Sequence, residues 1–586
     1  MKYFSFNQIN KFLNFFYRKE KVYYLEHVSP KLNNKYIEIV NSDILNLNFY
    51  AKTFINAYKL LKKKINLKNI NYRYISFSSL IPIVNEKFNV SCIQKIYEAE
   101  ILAKLIKQKY KIDKIFLLDD QINLELYSIL KNKKNIKFEI SFLSKIFIKL
   151  KKLLKDLYLS INLFFIPEIL FLNCSLNSTK KKYISNCFNL DISALNEKRD
   201  PNEINNLYFN KNTNNLNLFL IRFQHNKKNL KDIPNIRKST KYVILNDIIK
   251  LFSFFEYFSK YYLNFFVKRF FYMSYYFKYN NLEIFKLLKE TFYWDLFFKK
   301  FEVKKFISIM NHSIISEQFF QKKNSKETIF IYLSSSDFYS AERKKNTNII
   351  DNIQYSYMNF DTLVCDFFSK DFFSNKTNNF AKTINLYNLK SSLSLAKKNN
   401  LLNILKKKYP KKKTIVFYDN TCGYGSVINN KNYEIYLNFI FDFMKKNKKY
   451  NFYLKFKNSE VDRKYKNIFY KIMKLDNYIP LPKNTNSIKL FGISNVSISL
   501  PQSSIINELI SLNKPVFIYD LNKYYEKHLY NKLGIVLNNL DSLQRKILEV
   551  MKDNYQYNNH RNFFIKSNKY YDNTKSINFL KNYVLS

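Results

Sequence analysis

The stretch that decides the fold is Ser494-Asn-Val-Ser-Ile-Ser-Leu-Pro-Gln-Ser-Ser-Ile-Ile-Asn-Glu-Leu-Ile-Ser-Leu-Asn-Lys-Pro-Val-Phe-Ile-Tyr-Asp520. It reads as a strand over Val496–Leu500, a polar turn at Pro501-Gln-Ser-Ser504, a helix over Ser504–Leu512, and a second strand over Val516–Tyr519. Ile505, Ile506, Leu509 and Ile510 share one apolar helix face, while Asn507, Glu508 and Ser511 fall on the polar side. Lys514-Pro515 closes the helix. Two strands joined through a helix run parallel, so this is one unit of an α/β sheet. Its polar turn lies at the carboxyl end of a strand and the amino end of a helix, where free N–H groups favour a phosphate.

A second strand-and-loop lies upstream: Thr414-Ile-Val-Phe-Tyr-Asp-Asn-Thr-Cys-Gly-Tyr-Gly-Ser426. All four glycines of the chain stand between Gly423 and Gly534, and two of them are in this loop. Glycine lets backbone approach a ligand closely. Gly423, Gly425 and Ser426 are therefore candidates to hold a phosphate or a sugar hydroxyl; a structural turn is the alternative. The loop is neither a Walker loop nor a G-x-G-x-x-G. A third piece, Tyr453-Leu-Lys-Phe-Lys-Asn-Ser-Glu460, is a strand ending in Lys455 and Lys457. On the same sheet edge these lysines would neutralise a diphosphate; ordinary surface lysines are the alternative.

The rhythm extends in both directions. Val22–Leu25, Tyr74–Phe77, Ile115–Leu118 and Phe138–Ile140 read as strands, with helices over Phe54–Lys64 and Ile93–Tyr110. Ile115-Phe-Leu-Leu-Asp-Asp120 is a buried parallel strand ending in carboxylates. Residues 175–240 are rich in Asn, Lys and Ser and read as irregular, with one strand at Leu216–Phe223; a helical stretch follows up to about Lys300. From Thr328 strands return at Thr328–Leu333, Thr362–Cys365, Thr414–Tyr418, Phe452–Phe456, Val496–Leu500 and Val516–Tyr519, with a helix over Tyr433–Lys446. The expected organisation is an N-terminal α/β domain over 1–174, an irregular and helical segment over 175–325, and a C-terminal α/β domain over 326–586.

Composition bounds the function. Apolar residues make up 47% of the 586, enough for a core. The net charge is +52, from 98 basic and 46 acidic residues, a field that attracts nucleic acid, anionic lipid or phosphorylated ligands. The Lys-, Asn-, Ile-, Phe- and Tyr-rich, Gly-poor usage is that of an AT-rich genome, and a solvated surface set by this codon bias is the expected source of most of the charge; a functional patch is the alternative. No zinc-finger, RNA-recognition or KH signature is present. Five scattered cysteines without a C-x-x-C pair fit a reducing cytoplasm and argue against a disulfide framework or a zinc site. Met1 to Lys21 lacks the pattern of a signal peptide. Two segments, Ser141–Leu172 and Leu251–Tyr279, mix basic with apolar and aromatic residues as interfacial helices do; a pair of buried helices in a Phe-rich core is the alternative.

The three C-terminal pieces, in this order, resemble the C-terminal half of a GT-B glycosyltransferase, within the bacterial surface-carbohydrate (O-antigen) biosynthesis proteins. Phe292-Tyr-Trp-Asp-Leu-Phe297, Thr328-Ile-Phe-Ile-Tyr-Leu333, Ile350–Tyr357 and Phe360-Asp-Thr-Leu363 follow that family's order of segments, so the resemblance covers roughly 290 to 530. Ser334-Ser-Ser-Asp337 stands where an acidic-amide cluster is usual, Gln354-Tyr-Ser356 where a histidine is common, and Lys455-Phe-Lys-Asn458 where a Lys-Pro-His-Pro strand end occurs. The resemblance implies two Rossmann-like α/β domains facing a cleft, with a nucleotide-sugar donor as substrate in the C-terminal half and no permanently bound cofactor. It implies backbone at Gln502, Ser503 and Ser504 facing the diphosphate, and Glu508 facing the ribose hydroxyls. Asp119, Asp120 and Asp337 are the carboxylates offered as general base. No metal is expected, since no D-x-D stands at a convincing strand end. The acceptor would be lipid-linked or a glycan, and the protein cytoplasmic, touching an anionic membrane peripherally. A catalytically degenerate scaffold and a basic nucleic-acid-binding protein are the competing readings.

Overall fold

Every strand pairing among the described residues is parallel. This is what strands apolar on both faces require, because each must be covered by crossover helices on either side. The computed structural model describes residues 2–5, 16, 22–25, 37–40, 47–60, 69–118, 122–133, 136–190, 217–221, 242–309, 315–332, 357–365, 373, 378–385, 412–420, 428, 430–456, 465–481, 490–501, 503, 505–511, 514–523, 529–552 and 582–583. The α/β class with Rossmann-like parallel sheets is as expected. Among the described residues the strands form three sheets.

The first sheet has the order β3-β2-β1-β4-β5, built from β1 (Lys2–Ser5), β2 (Val22–Leu25), β3 (Ile37–Val40), β4 (Ile115–Leu117) and β5 (Glu139–Ile140). Helices α1 (Leu47–Leu60), α2 (Phe77–Tyr110) and α3 (Leu124–Lys133) belong to this part. The strand expected at Tyr74–Phe77 is instead the entry to α2. Ser76 caps that helix, its hydroxyl accepting the Ser79 N–H, which satisfies a donor that the first turn leaves open.

Next come α4 (Phe142–Phe164) and α5 (Ile166–Leu172), leading into a seven-stranded sheet of order β12-β11-β10-β9-β6-β7-β8. Its strands are β6 (Lys182–Leu190), β7 (Asn217–Ile221), β8 (Tyr242–Ile244), β9 (Phe301–Ile309), β10 (Ser325–Ile331), β11 (Asn359–Cys365) and β12 (Asn379–Asn385). The segment expected to be irregular and helical, with one strand at Leu216–Phe223, supplies four strands, of which β7 matches that expected strand, and their sheet runs on across the expected boundary at 325/326. Its helices are α6 (Phe254–Tyr257), α7 (Leu263–Tyr279), α8 (Leu282–Lys300) and α9 (Ile315–Asn324). Trp294, the chain's one tryptophan, is buried on α8 between Phe298 and Phe320, with ring centroids 5.6 and 6.0 Å away. One continuous apolar core joins the first sheet at Phe4 and Leu117 to the middle sheet at Phe306.

Polar stitching adds to that core. Asn359 and Asn379 donate to the Ile70 carbonyl at 2.6 and 2.9 Å. Asp361 takes up Arg73 at 2.9 Å, the Thr328 N–H at 2.9 Å and buried Lys322 at 3.4 Å. The ammonium of Lys322, only 2% exposed, needs that carboxylate.

The third sheet, β14-β13-β15-β16-β17, is built from β13 (Thr414–Tyr418), β14 (Asn451–Lys455), β15 (Val496–Ser499), β16 (Val516–Tyr519) and β17 (Val536–Leu537). Around it lie α10 (Asn430–Lys446), α11 (Lys466–Met473), α12 (Ile505–Ser511), α13 (Leu529–Lys532) and α14 (Leu540–Met551). It has its own core, in which Phe417 stacks on Phe452 at 6.3 Å. Tyr583, near the end of the chain, lies on the middle sheet, its hydroxyl donating to Glu327 at 2.6 Å.

Candidate functional site

In the third sheet β13 lies between β14 and β15. The chain leaves it for β14 on one side and then for β15 on the other. The gap between the carboxyl ends of β13 and β15 is thus a topological switch point, where two loops part and leave a crevice for a ligand. The loop after β13 is the one carrying Gly423, Gly425 and Ser426; the loop after β15 carries Gln502, Ser503 and Ser504. Asn420 bridges the two, its side-chain amide donating to the Pro501 carbonyl. Lys455 ends β14 directly beside β13, and the Asp419 N–H donates to its carbonyl at 2.9 Å. All three sequence constellations therefore start from one sheet edge.

Several edge residues were not singled out from the sequence. Asp419 and Asp520 end β13 and β16 as the first polar residues after apolar strands, a signal that the Asp119-Asp120 reading had already used. Asp520 is fully buried and its N–H donates to Leu537 at 2.9 Å. A small pocket opens there, lined among others by Asn432, Leu500, Pro501, Tyr519, Asp520 and Asn522. Asn432 donates to Asn522 across it at 2.5 Å. Tyr519 stacks on buried Tyr436 with ring centroids 5.7 Å apart, which makes a rigid apolar wall. Burial lowers the Lys455 ammonium below the ordinary lysine value and Asp419 partly restores it. The half-buried cation is a suitable partner for a phosphate oxygen. A second hollow is lined only by residues of α14 and by Lys552 just after it, and is a surface groove.

Of the expected site residues, Lys455 and Ser503 are both half-buried, and the Ser503 carbonyl accepts the Ile506 N–H at the start of α12. Glu508 lies on α12, with its side chain outside the described residues. Gly423, Gly425, Ser426, Lys457, Gln502 and Ser504 also lie outside them, as do Asp119, Asp120 and Asp337. The three aspartates do not come from one sheet. Asp119 and Asp120 follow β4 of the first sheet, and Asp337 follows β10 of the middle sheet.

The middle sheet has its own switch point, between β6 and β9, where Asn189 pairs in register with Ser308. Asn189 is buried there and donates to the buried Glu317 carboxylate at 3.0 Å. Ser316 donates to Glu290 at 2.6 Å beside it. Among the described residues no group of His, Cys, Asp or Glu could hold a metal ion.

No protein-family model matches the chain, and no curated protein matches it. Solved structures do resemble it. The wall teichoic acid polymerase TagF is 14% identical, with 74% of this chain and 97% of that one covered and a TM-score of 0.44. The UDP-GlcNAc 2-epimerase from Neisseria meningitidis, bound to UDP-GlcNAc, is 13% identical, covering 69% and 100% with a TM-score of 0.42. A glycosyltransferase from Rickettsia africae is 12% identical, covering 69% and 99% with a TM-score of 0.35.

Proposed function

We propose that the protein transfers a sugar from a nucleotide-sugar donor to a lipid-linked or glycan acceptor in bacterial surface-polysaccharide (O-antigen or capsule) assembly, working at the cytoplasmic face of a membrane. What supports this reading is the convergence of the β13, β14 and β15 carboxyl ends on one switch point. There Asn420 ties the two loops together, Lys455 supplies a half-buried cation, and a pocket with a tyrosine wall lies alongside.

In this proposal the backbone at Gly423, Gly425, Ser426 and Gln502–Ser504 holds the diphosphate. Lys455 and Lys457 neutralise it, and Glu508 takes the ribose hydroxyls. The acceptor hydroxyl attacks the anomeric carbon as the bond to the diphosphate oxygen breaks. The hydroxyl proton passes to a carboxylate, with Asp119, Asp120 and Asp337 the candidates. The departures at Ser334–Asp337 and Gln354–Ser356 favour a second reading, a scaffold that binds the donor without turning it over.

Thermal shift and donor hydrolysis with a panel of nucleotide sugars separate the readings. At least one donor should raise the melting temperature, and Lys455→Ala should weaken it roughly tenfold or more, the cost of one charge-assisted bond. Binding without turnover would support the scaffold. A folded protein that binds no nucleotide sugar, yet saturably binds RNA with a steep salt dependence, would replace both with nucleic-acid binding.

A further inference from the structure

Helix α4 has two apolar faces. Ile148, Leu159 and Leu163 are buried against the protein. On the opposite side Ile146, Leu150, Leu153, Leu157 and Ile161 recur every three or four residues and are exposed, Leu153 by 65%. At about 100° per residue that second stripe is centred opposite the first, with Lys149 and Lys151 at its two borders. Helix α7 repeats the pattern. Phe265, Tyr272 and Tyr276 are buried, whereas Leu263, Val267, Phe270 and Phe271 face solvent, Phe271 by 62%.

The two helices lie side by side and antiparallel. Phe164 meets Phe270 at 6.2 Å at one end. At the other, Asp156 accepts from Asn280 at 2.8 Å and Tyr276 at 3.4 Å. Arg269 locks the pair. It is buried, paired with Glu168 at 2.6 Å, and its guanidinium lies 3.7 Å from the Phe266 ring centroid and 4.2 Å from that of Phe164. The outward stripes are thus held by a fixed internal frame. Exposed Phe254 and Phe258 extend the surface across Phe171 of α5, with centroids 4.1 and 5.8 Å away.

We infer that α4 and α7 form an in-plane docking surface for an anionic lipid bilayer. An apolar exposed area of this extent needs a cover. Its charge selects the occupant. Helix α4 carries Lys145, Lys149, Lys151, Lys152 and Lys155, all exposed, against one carboxylate, Asp156, which is turned to α7; Glu125 of α3 pairs with Lys152 at 2.8 Å. Lys149 and Lys151, which border the leucine stripe, suit the headgroup boundary, where their stems lie along the apolar layer and their ammonium groups reach lipid phosphates, while Lys152 and Lys155 project from the other side of α4 and add to the positive field. Protein interface cores are depleted in lysine. A second copy on a two-fold axis would set this lysine array against itself on a chain of net charge +52. Among the described residues no helix is long and apolar enough to cross a membrane, so the contact is with the surface layer. The inference does not depend on the donor site.

The test is flotation of the full chain with phosphatidylcholine vesicles, with and without phosphatidylglycerol. The wild type should bind the anionic vesicles at least about tenfold tighter, and lose that advantage at high salt. L153E/L157E should lose vesicle binding by about tenfold or more with an unchanged circular dichroism spectrum and melting temperature. Exposed Tyr470, on α11, serves as control, and Tyr470→Glu should bind as the wild type does. Three outcomes would overturn the inference: L153E/L157E binding vesicles normally, Tyr470→Glu losing as much as L153E/L157E, or a wild type that ignores anionic vesicles and self-associates through a face that L153E/L157E abolishes.

Discussion

Glu290 carries the clearest titration signal in the middle part of the chain. Burial, reinforced by the neighbouring Glu317 charge, pushes its carboxyl up to about 8 from an ordinary 4.5. The folded protein holds that proton up to about pH 8, while the unfolded chain releases it near 4.5. Between those values the unfolded state binds fewer protons, so this contribution is complete below the lower one and is lost as pH rises through the upper. Urea midpoints measured across this range should fall with pH in the wild type, and Glu290→Gln should flatten the fall. An unchanged slope in the variant would refute the assignment. The same part of the molecule shows why some strands were not legible. Asn186 and Asn189 interrupt the apolar run of β6, and Lys305 that of β9. Each is buried and finds its partner far along the chain: the Asn186 amide donates to Asn217, Asn189 to Glu317, and Lys305 to the Tyr583 carbonyl at 3.1 Å. Such residues read as loop until their partners are known.

At the scale of elements, strands buried on both faces were the easiest to read. Thr414–Tyr418 and Val516–Tyr519 were expected at the bounds they have as β13 and β16, because a short apolar run with turn residues on either side has little else to become. Gly534 ends α13. Its φ is +68°, its N–H donates to Asn531 at 3.0 Å, and the Ile535 N–H reaches Tyr530 at 3.4 Å. These are the two bonds of a Schellman cap. A Cβ there would meet no atom within 4 Å, so Gly534→Ala should cost only the left-handed backbone, about 1 kcal/mol by chemical denaturation. A neutral result would show that the turn relaxes. Helices α4 and α7 were read as membrane-friendly or as buried. Each is apolar on two sides, and periodicity cannot say which side a neighbour covers.

Across the whole molecule the chain returns on itself. Beyond the third sheet Tyr583 settles on the middle one, between Glu327 and Thr362, with Lys305 and Lys382 over its ring at 5.7 and 5.0 Å. Tyr583→Phe keeps the ring and removes only the hydroxyl bonds. It should lower stability by about 1–2 kcal/mol in thermal or urea unfolding, since Glu327 is left short of a donor. No measurable change would mean that the tail does not hold the middle sheet. By itself the sequence determined the α/β class, the parallel sense of the strands and the order of segments around Thr414 to Asp520. These follow from local patterns, namely apolar runs, helical periods and turn residues. Only the tertiary structure decided that the described strands sort into three sheets, that the Asn-rich middle belongs to one of them, that Asn420 bridges the two candidate loops, and that one face of α4 and of α7 is left to solvent. Each of those depends on partners far apart in the chain, and a buried asparagine or an uncovered leucine takes its meaning from what the fold sets beside it.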